Sequence, residues 1–319
     1  MATLWLMLIG VLALVHCVNA DVDLTMAQAE FALKLLRDSG PSGSFVILSP
    51  FSISVALAMV YAGADGKTKI EIGDALAKGA KDEEIVNYFS ALMMELSKEG
   101  DGYKLLAANK LYVQEHSDIL QSFKDVIKEK FDGQLQEVDF SKATETAKII
   151  NEWVEKKTNA KIKNLISPDM LTVATTLALV NAIYFKGDWA TKFDVHRTMK
   201  KQFHVAENQN REVELPKFKL ESKFELRTTL EQLGIHDAFT SSANFSDISA
   251  KPLIISHVIH QAFIETNEEG TEAAAATAIL MSRSMRPLAA TLPIRFIADH
   301  PFIFAIVKNN HILFIGRFH

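Results

Sequence analysis

A chain of 319 residues with 48% hydrophobic content can bury a large core, and no Gly/Ser-rich or Pro-rich linker divides it, so one large domain is expected. Its net charge of -5 gives no electrostatic footprint for nucleic acid. The local basic run of Lys156, Lys157, Lys161 and Lys163 reads more economically as a solvated helix face than as a polyanion site.

Residues 1–20 differ from everything after them. Leu4 to Val15 is apolar and uncharged but too short to span a bilayer comfortably, and Val18-Asn19-Ala20 offers small residues for a signal-peptidase cut. The segment reads as a cleaved secretory signal ahead of a domain at 21–319. The absence of Lys or Arg near its start keeps an uncleaved anchor as the alternative. Cys17, the single cysteine, falls inside it, so a secreted chain starting at Asp21 has to hold together by its core alone.

Along the remaining chain, Met26 to Arg37 places Phe31, Leu35 and Leu36 at helical spacing before Ser39-Gly40-Pro41-Ser42-Gly43 breaks the pattern. Ser49 then caps an apolar stretch from Pro50 to Tyr61, with proline in the favoured first turn. A helix apolar almost all round has to be buried. Further helical stripes follow at Ile85 to Leu96, Phe123 to Phe131 and Ala143 to Thr158. Leu105 to Val113 and Thr175 to Phe185 read as strands. The second is apolar on both alternate sets, as in a strand covered on both faces, and Asn181 interrupts it as a buried amide that needs partners. Asn244-Phe245-Ser246 is a glycosylation sequon, which makes Asn244 a candidate acceptor if it is exposed. Ile254 to Thr266, Leu292 to Ile297, Phe302 to Val307 and Ile312 to Phe318 supply four late strands. Helices first and strands last, without βα alternation, argue for an α+β fold.

Catalytic signatures are missing. The chain carries no GxSxG elbow, HExxH, Walker loop or GxGxxG. His257 and His260 are three apart, which on a strand sends them to opposite faces, so no metal site is expected. Neither enzyme activity nor a cofactor is expected.

The stretch from Glu268 to Ala278 is glutamate, one glycine, threonine and alanine. Its alanines are compatible with a surface helix or linker. In an extended chain, however, Thr271, Ala273, Ala275 and Thr277 form one small face, Glu272, Ala274, Ala276 and Ala278 form the other, and Gly270 supplies a hinge.

This stretch resembles the hinge of the serpin family of serine protease inhibitors, and other segments along nearly the whole chain after residue 20 resemble serpin landmarks in the same order. They are Ser49-Pro50 followed by Ser52-Ile53; Asn181-Ala182-Ile183-Tyr184-Phe185-Lys186-Gly187 followed by Trp189; Leu215-Pro216-Lys217-Phe218; His260 to Thr271; Ala298-Asp299-His300-Pro301-Phe302; and Ile312-Leu313-Phe314-Ile315-Gly316-Arg317. The resemblance implies a serpin-like fold: a large, mostly antiparallel central sheet with helices, a second sheet and an exposed reactive loop. It also implies a secreted monomer, with no membrane or nucleic-acid partner, that traps a serine protease by cleavage and insertion of the loop into the main sheet.

On that resemblance the hinge is Glu268, Glu269, Gly270, Thr271, Glu272, Ala273, Ala274, Ala275, Ala276 and Thr277. Spacing carried over from the family puts the scissile bond between Ser284 and Met285, with Arg283 and Arg286 as alternatives. The arginines would suit a trypsin-like target and Met285 a chymotrypsin- or elastase-like one. Ser49, Ser52, Asn181 and His260 are implied as the hydrogen-bonded cluster where the central strands part, with Trp189 at the top of that opening.

One departure stands out. Between Glu214 and Leu215 about sixty residues of family structure are absent. Part of the second and third sheets is therefore expected to be missing, leaving apolar faces and open edges on the final strands, with reduced stability or dependence on a partner.

Overall fold

In the computed structural model the residues described are 22–41, 43–96, 102–189, 192–199, 215–266, 268 and 297–319. Helix α1 spans Leu24–Asp38 and starts where the Asp23 carboxylate accepts from the backbone N–H groups of Thr25 and Met26 at 3.0 and 3.1 Å. That side chain occupies two of the donors a helix start leaves unpaired. After the three-residue strand β1 (Val46–Leu48), α2 runs Pro50–Tyr61 with every residue buried, as its apolar surface requires. Helices α3 (Gly66–Ala77) and α4 (Asp82–Leu96) pack beside it, and α4 carries Asp82, Glu83 and Glu84 in its first turn, where the helix dipole favours negative charge.

The rest of the chain alternates less regularly: β2 (Tyr103–Gln114), α5 (Gln121–Lys130), β3 (Leu135–Val138), α6 (Ala143–Lys157), β4 (Leu177–Gly187), β5 (Lys219–Glu225), α7 (Arg227–Gln232), β6 (Ile255–Glu265), β7 (Phe302–Lys308) and β8 (His311–Phe318). The larger sheet has the order β3-β2-β4-β6-β5 and the smaller the order β1-β8-β7.

The larger sheet is mixed, where the sequence suggested a mostly antiparallel one. β2 pairs with β4 and β5 with β6 antiparallel, but β2 with β3 and β4 with β6 run parallel. Chain order explains both parallel pairs: α5 crosses between β2 and β3, and β5 comes down the sheet before β6 climbs into the gap beside β4. β4 lies at the centre with side chains buried on both faces. Leu177, Leu179 and Ile183 enter the core that includes α2, while Ala178, Val180, Ala182 and Tyr184 enter a second core with Ile150 and Val154 of α6.

Among the described residues the smaller sheet ends at β7, where Ile303 and Val307 remain 66% and 55% exposed. No other described strand lies on this apolar edge, in keeping with the open edge expected from the missing segment. Among the described residues no helix is long and apolar enough to cross a membrane.

Candidate functional site

Three buried polar side chains stand in a row across the large sheet: Asn109 on β2 lies opposite Asn181 on β4, which lies opposite His260 on β6. Beneath them is the start of α2. Ser49 Oγ accepts from Ser52 N–H at 3.2 Å, capping the helix, and donates to the carbonyl of Leu313 on β8 at 2.6 Å. Ser52 Oγ donates to Asn109 Oδ1 at 2.8 Å. The Asn181 amide nitrogen donates to Ser52 Oγ and to Asn109 Oδ1.

The donor pattern determines the imidazole's state. Ser49 N–H donates to His260 Nε2 at 3.1 Å, so Nε2 is the acceptor and Nδ1–H is left to donate to Asn181 Oδ1. Complete burial pushes the His260 pKa down to about 3, which keeps the ring neutral at ordinary pH. The cluster therefore ties the larger sheet, the central helix and the smaller sheet together with every partner matched in donor and acceptor sense. It brings Ser49, Ser52, Asn181 and His260 together. Asn109 belongs with them and was missed, although its signal, a polar residue inside the apolar run Leu105 to Val113, was the same as that of Asn181.

The bond from His260 to Asn181 crosses the parallel β4/β6 seam. Inserting a strand there moves the two strands apart by roughly 4.8 Å more and breaks it.

Trp189 does not join this row. It lies eight residues beyond Asn181 and two beyond Gly187, past the end of β4, which is itself roughly 20 Å up the strand from Asn181. There its ring meets Phe193 edge-on, centroids 5.3 Å apart. Phe193 N–H in turn donates to the carbonyl of Glu268 at 3.1 Å.

Glu268, the first residue of the implied hinge, is clamped at this upper end. Lys217 Nζ lies 2.8 Å from its Oε2, and Thr198 Oγ1 donates to its Oε1 at 2.8 Å. These two hydrogen bonds, with Lys217 first, hold its carboxyl at a pKa of about 2. Lys217 and Thr198 were not identified from sequence, because a lysine just ahead of a strand and a threonine in a loop carry no local signal.

Glu269, Gly270, Thr271, Glu272, Ala273, Ala274, Ala275, Ala276 and Thr277 lie outside the described residues, as do Arg283, Ser284, Met285, Arg286 and the proposed signal at 1–20. Asn244 is partly exposed on a turn where Ser246 N–H donates to its Oδ1 at 3.2 Å. His257 and His260 face opposite ways, as their spacing requires: His257 pairs with Glu225 at 3.1 Å at the surface, whereas His260 is buried.

Comparison with known proteins agrees with this architecture. The family model described as "Serpin (serine protease inhibitor)" matches residues 26–214 and 206–319. Serpin B6 of Macaca fascicularis is 35% identical over 374 aligned residues, covering 92% of this chain and 98% of that protein. The leukocyte elastase inhibitor of Sus scrofa is 34% identical over 379 residues, with the same shares covered.

Among solved structures, Serpin48 of Tenebrio molitor superposes with a TM-score of 0.80 at 28% identity, covering 92% of this chain and 97% of that one. Uncleaved ovalbumin gives a TM-score of 0.78 at 26% identity, covering 92% and 98%.

The 374-residue alignment exceeds the 319 residues present here, and the two family-model matches meet at 206–214. Relatives thus carry a segment that this chain lacks, next to Glu214 and Leu215. The chain belongs to the serpin family of serine protease inhibitors.

Proposed function

We propose that the chain is a secreted inhibitor of a serine protease, attacked as a substrate at its loop and then trapping the enzyme by inserting residues 268–278 between β4 and β6. The observation that carries this reading is the parallel β4/β6 seam, with Leu177 through Lys186 in register against Ile255 through Glu265. The chain leaves β6 at Glu265 and reaches the hinge sequence within three residues. A segment folding back from that point runs antiparallel to both neighbours and can satisfy both inner edges at once.

In the reaction, the protease serine attacks the carbonyl before the scissile bond, the amine of the following residue leaves, and the acyl-enzyme stays attached to the loop as it inserts. About a dozen new backbone hydrogen bonds at ~0.5–1.5 kcal/mol each supply on the order of ten kcal/mol toward insertion. Thr271, Ala273, Ala275 and Thr277 are small enough to pass over a packed core. The target is chosen by Ser284 and Met285, or by Arg283 or Arg286 if the cut falls there.

The test is incubation with trypsin, chymotrypsin and elastase, followed by denaturing electrophoresis. A complex that survives denaturation supports trapping, and mapping the cut identifies the scissile residue. Cleavage without any trapped enzyme supports the second reading, a non-inhibitory serpin-like binding or storage protein or a shortened form without inhibitory activity. The absent segment and the exposed Ile303 and Val307 of β7 favour that alternative. Secretion is tested by expressing the full chain and sequencing the amino terminus of the exported product, expected at Asp21.

A further inference from the structure

Four strands end the two sheets among the described residues, and three of them are guarded. β5 shows alternating charged side chains to solvent: Lys219, Glu221, Lys223 and Glu225. β3 is four residues long, and its Glu137 is paired with Lys124 at 2.7 Å. β1 is three residues long and wholly buried, and its Ile47 N–H donates to Ser222 Oγ at 3.1 Å. Charge, shortness and capping are the ordinary means of preventing edge-to-edge pairing.

β7 has none of these over most of its length. From Phe302 to Val307 it is apolar, without proline or charge, and a register shift against β8 lies only at its far end, between Ile306 and Val307. Its two faces are both apolar. Ile303 and Val307 stand out to solvent on one. On the other, half-buried Phe302 and Phe304 join a ring cluster in which Phe302 stacks on Phe318 at 5.3 Å, and Phe218 lies 5.3 Å from Phe318 and 5.7 Å from Phe304.

We propose that β7 is a dimerisation edge, paired antiparallel with β7 of a second copy of this chain about a twofold axis near Phe304. The occupant of this edge has to be extended, uncharged over about five residues and apolar on both faces to match Phe302 through Ile306. The same strand of another copy meets each requirement. With the axis at Phe304, Phe302 of one copy lies opposite Ile306 of the other, an aromatic on a β-branched residue, which is a favourable cross-strand pair. The two phenylalanine clusters then merge, and the two three-stranded sheets become one. The other end of the sheet is closed by β1, so each copy offers one such edge. Association therefore stops at the symmetric dimer, in place of the monomer expected from sequence. The interface holds whether or not the chain traps a protease.

The experiment is sedimentation velocity on the purified full chain over a roughly hundredfold range of concentration, with hydrogen exchange measured at both ends of that range. The expected result is a monomer that becomes a dimer as concentration rises, with the amides of residues 302–306 exchanging more slowly as it forms. Ile303→Lys and Ile303→Glu should each be monomeric, with the circular dichroism of the parent, and should dimerise when mixed. Val173→Lys, at a still more exposed apolar position outside β7, should leave the dimer intact. A monomer at every concentration, a dimer indifferent to both Ile303 variants, or loss of the dimer in Val173→Lys overturns the proposal. So does protection of 302–306 that does not change with concentration, which means that another segment of this chain covers the edge. Should the Ile303 variants not fold, the concentration dependence of exchange in the parent chain decides.

Discussion

A proton added to His260 would set the ring's Nε2–H against the N–H of Ser49, two donors with no acceptor between them. The unfolded chain binds that proton near pH 6.5, whereas the folded chain resists it down to about 3. Between those limits the unfolded state holds more protons, so stability falls as pH falls from 6.5 toward 3. Denaturant midpoints are therefore expected to drop between pH 6.5 and 5, where carboxylates stay ionised. His311, whose pKa is also lowered by burial, contributes with the same sign. His260→Gln should flatten that slope far more than His311→Gln does.

Asn109→Ala offers a second test at this scale. It strips the acceptor from Ser52 Oγ and Asn181 Nδ2 in a buried setting, and should lower unfolding free energy by about 1–3 kcal/mol in urea titrations. The three residues of this row were not equally visible in sequence. Asn181 stood out as an amide inside a strand apolar on both faces and His260 through family resemblance, whereas Asn109, beside Lys110 on its strand, gained its place only when the register set it opposite Asn181.

At the level of elements, α2 and β4 were legible almost to their ends, because an unbroken apolar run has one stable destination, the interior. β1 and β3 are too short to carry a period. β5 reads as polar alternation, and α3 opens on Gly66-Lys67-Thr68, so none of these four was anticipated. The expected strand Leu292 to Ile297 lies outside the described residues except for Ile297.

Two elements meet at the Glu268 clamp, where the exit of β6 is held against Lys217, two residues ahead of β5. The carboxylate's contribution is present above its unfolded pKa near 4.5 and is lost as pH falls toward about 2, so the clamp is intact at neutral pH. Lys217→Met should release the hinge, and limited proteolysis within 269–286 is expected to run several-fold faster than in the parent chain. Under the proposed insertion at the β4/β6 seam, Thr271→Arg places a charge at a position that would have to pass over the core. Protease trapping should disappear while cleavage of the loop continues, read as loss of the stable complex on a denaturing gel.

The whole molecule depends on how the larger sheet and its two cores remain closed while the smaller sheet is left short. Its large core, including the wholly buried α2, supplies the hydrophobic stabilisation available to a chain of this size. β7 returns less, because much of Ile303 and Val307 stays in water. If a second copy covers that edge, mass action requires the melting temperature to rise with protein concentration. Calorimetry over the same concentration range should show that rise for the parent chain and none for Ile303→Lys.

Local patterning was enough to identify the α+β class, the buried helix, the central strand and the family, since each rests on periodicity or on short runs of contiguous residues. The resemblance to that family, in turn, implied the break at Glu214 and Leu215. The parallel β4/β6 seam, the row from Asn109 to His260 and the Lys217 to Glu268 clamp join residues distant in sequence. Their hydrogen bonds and exposure depend on strand order and register, which a linear pattern does not encode, and only the folded arrangement decided them.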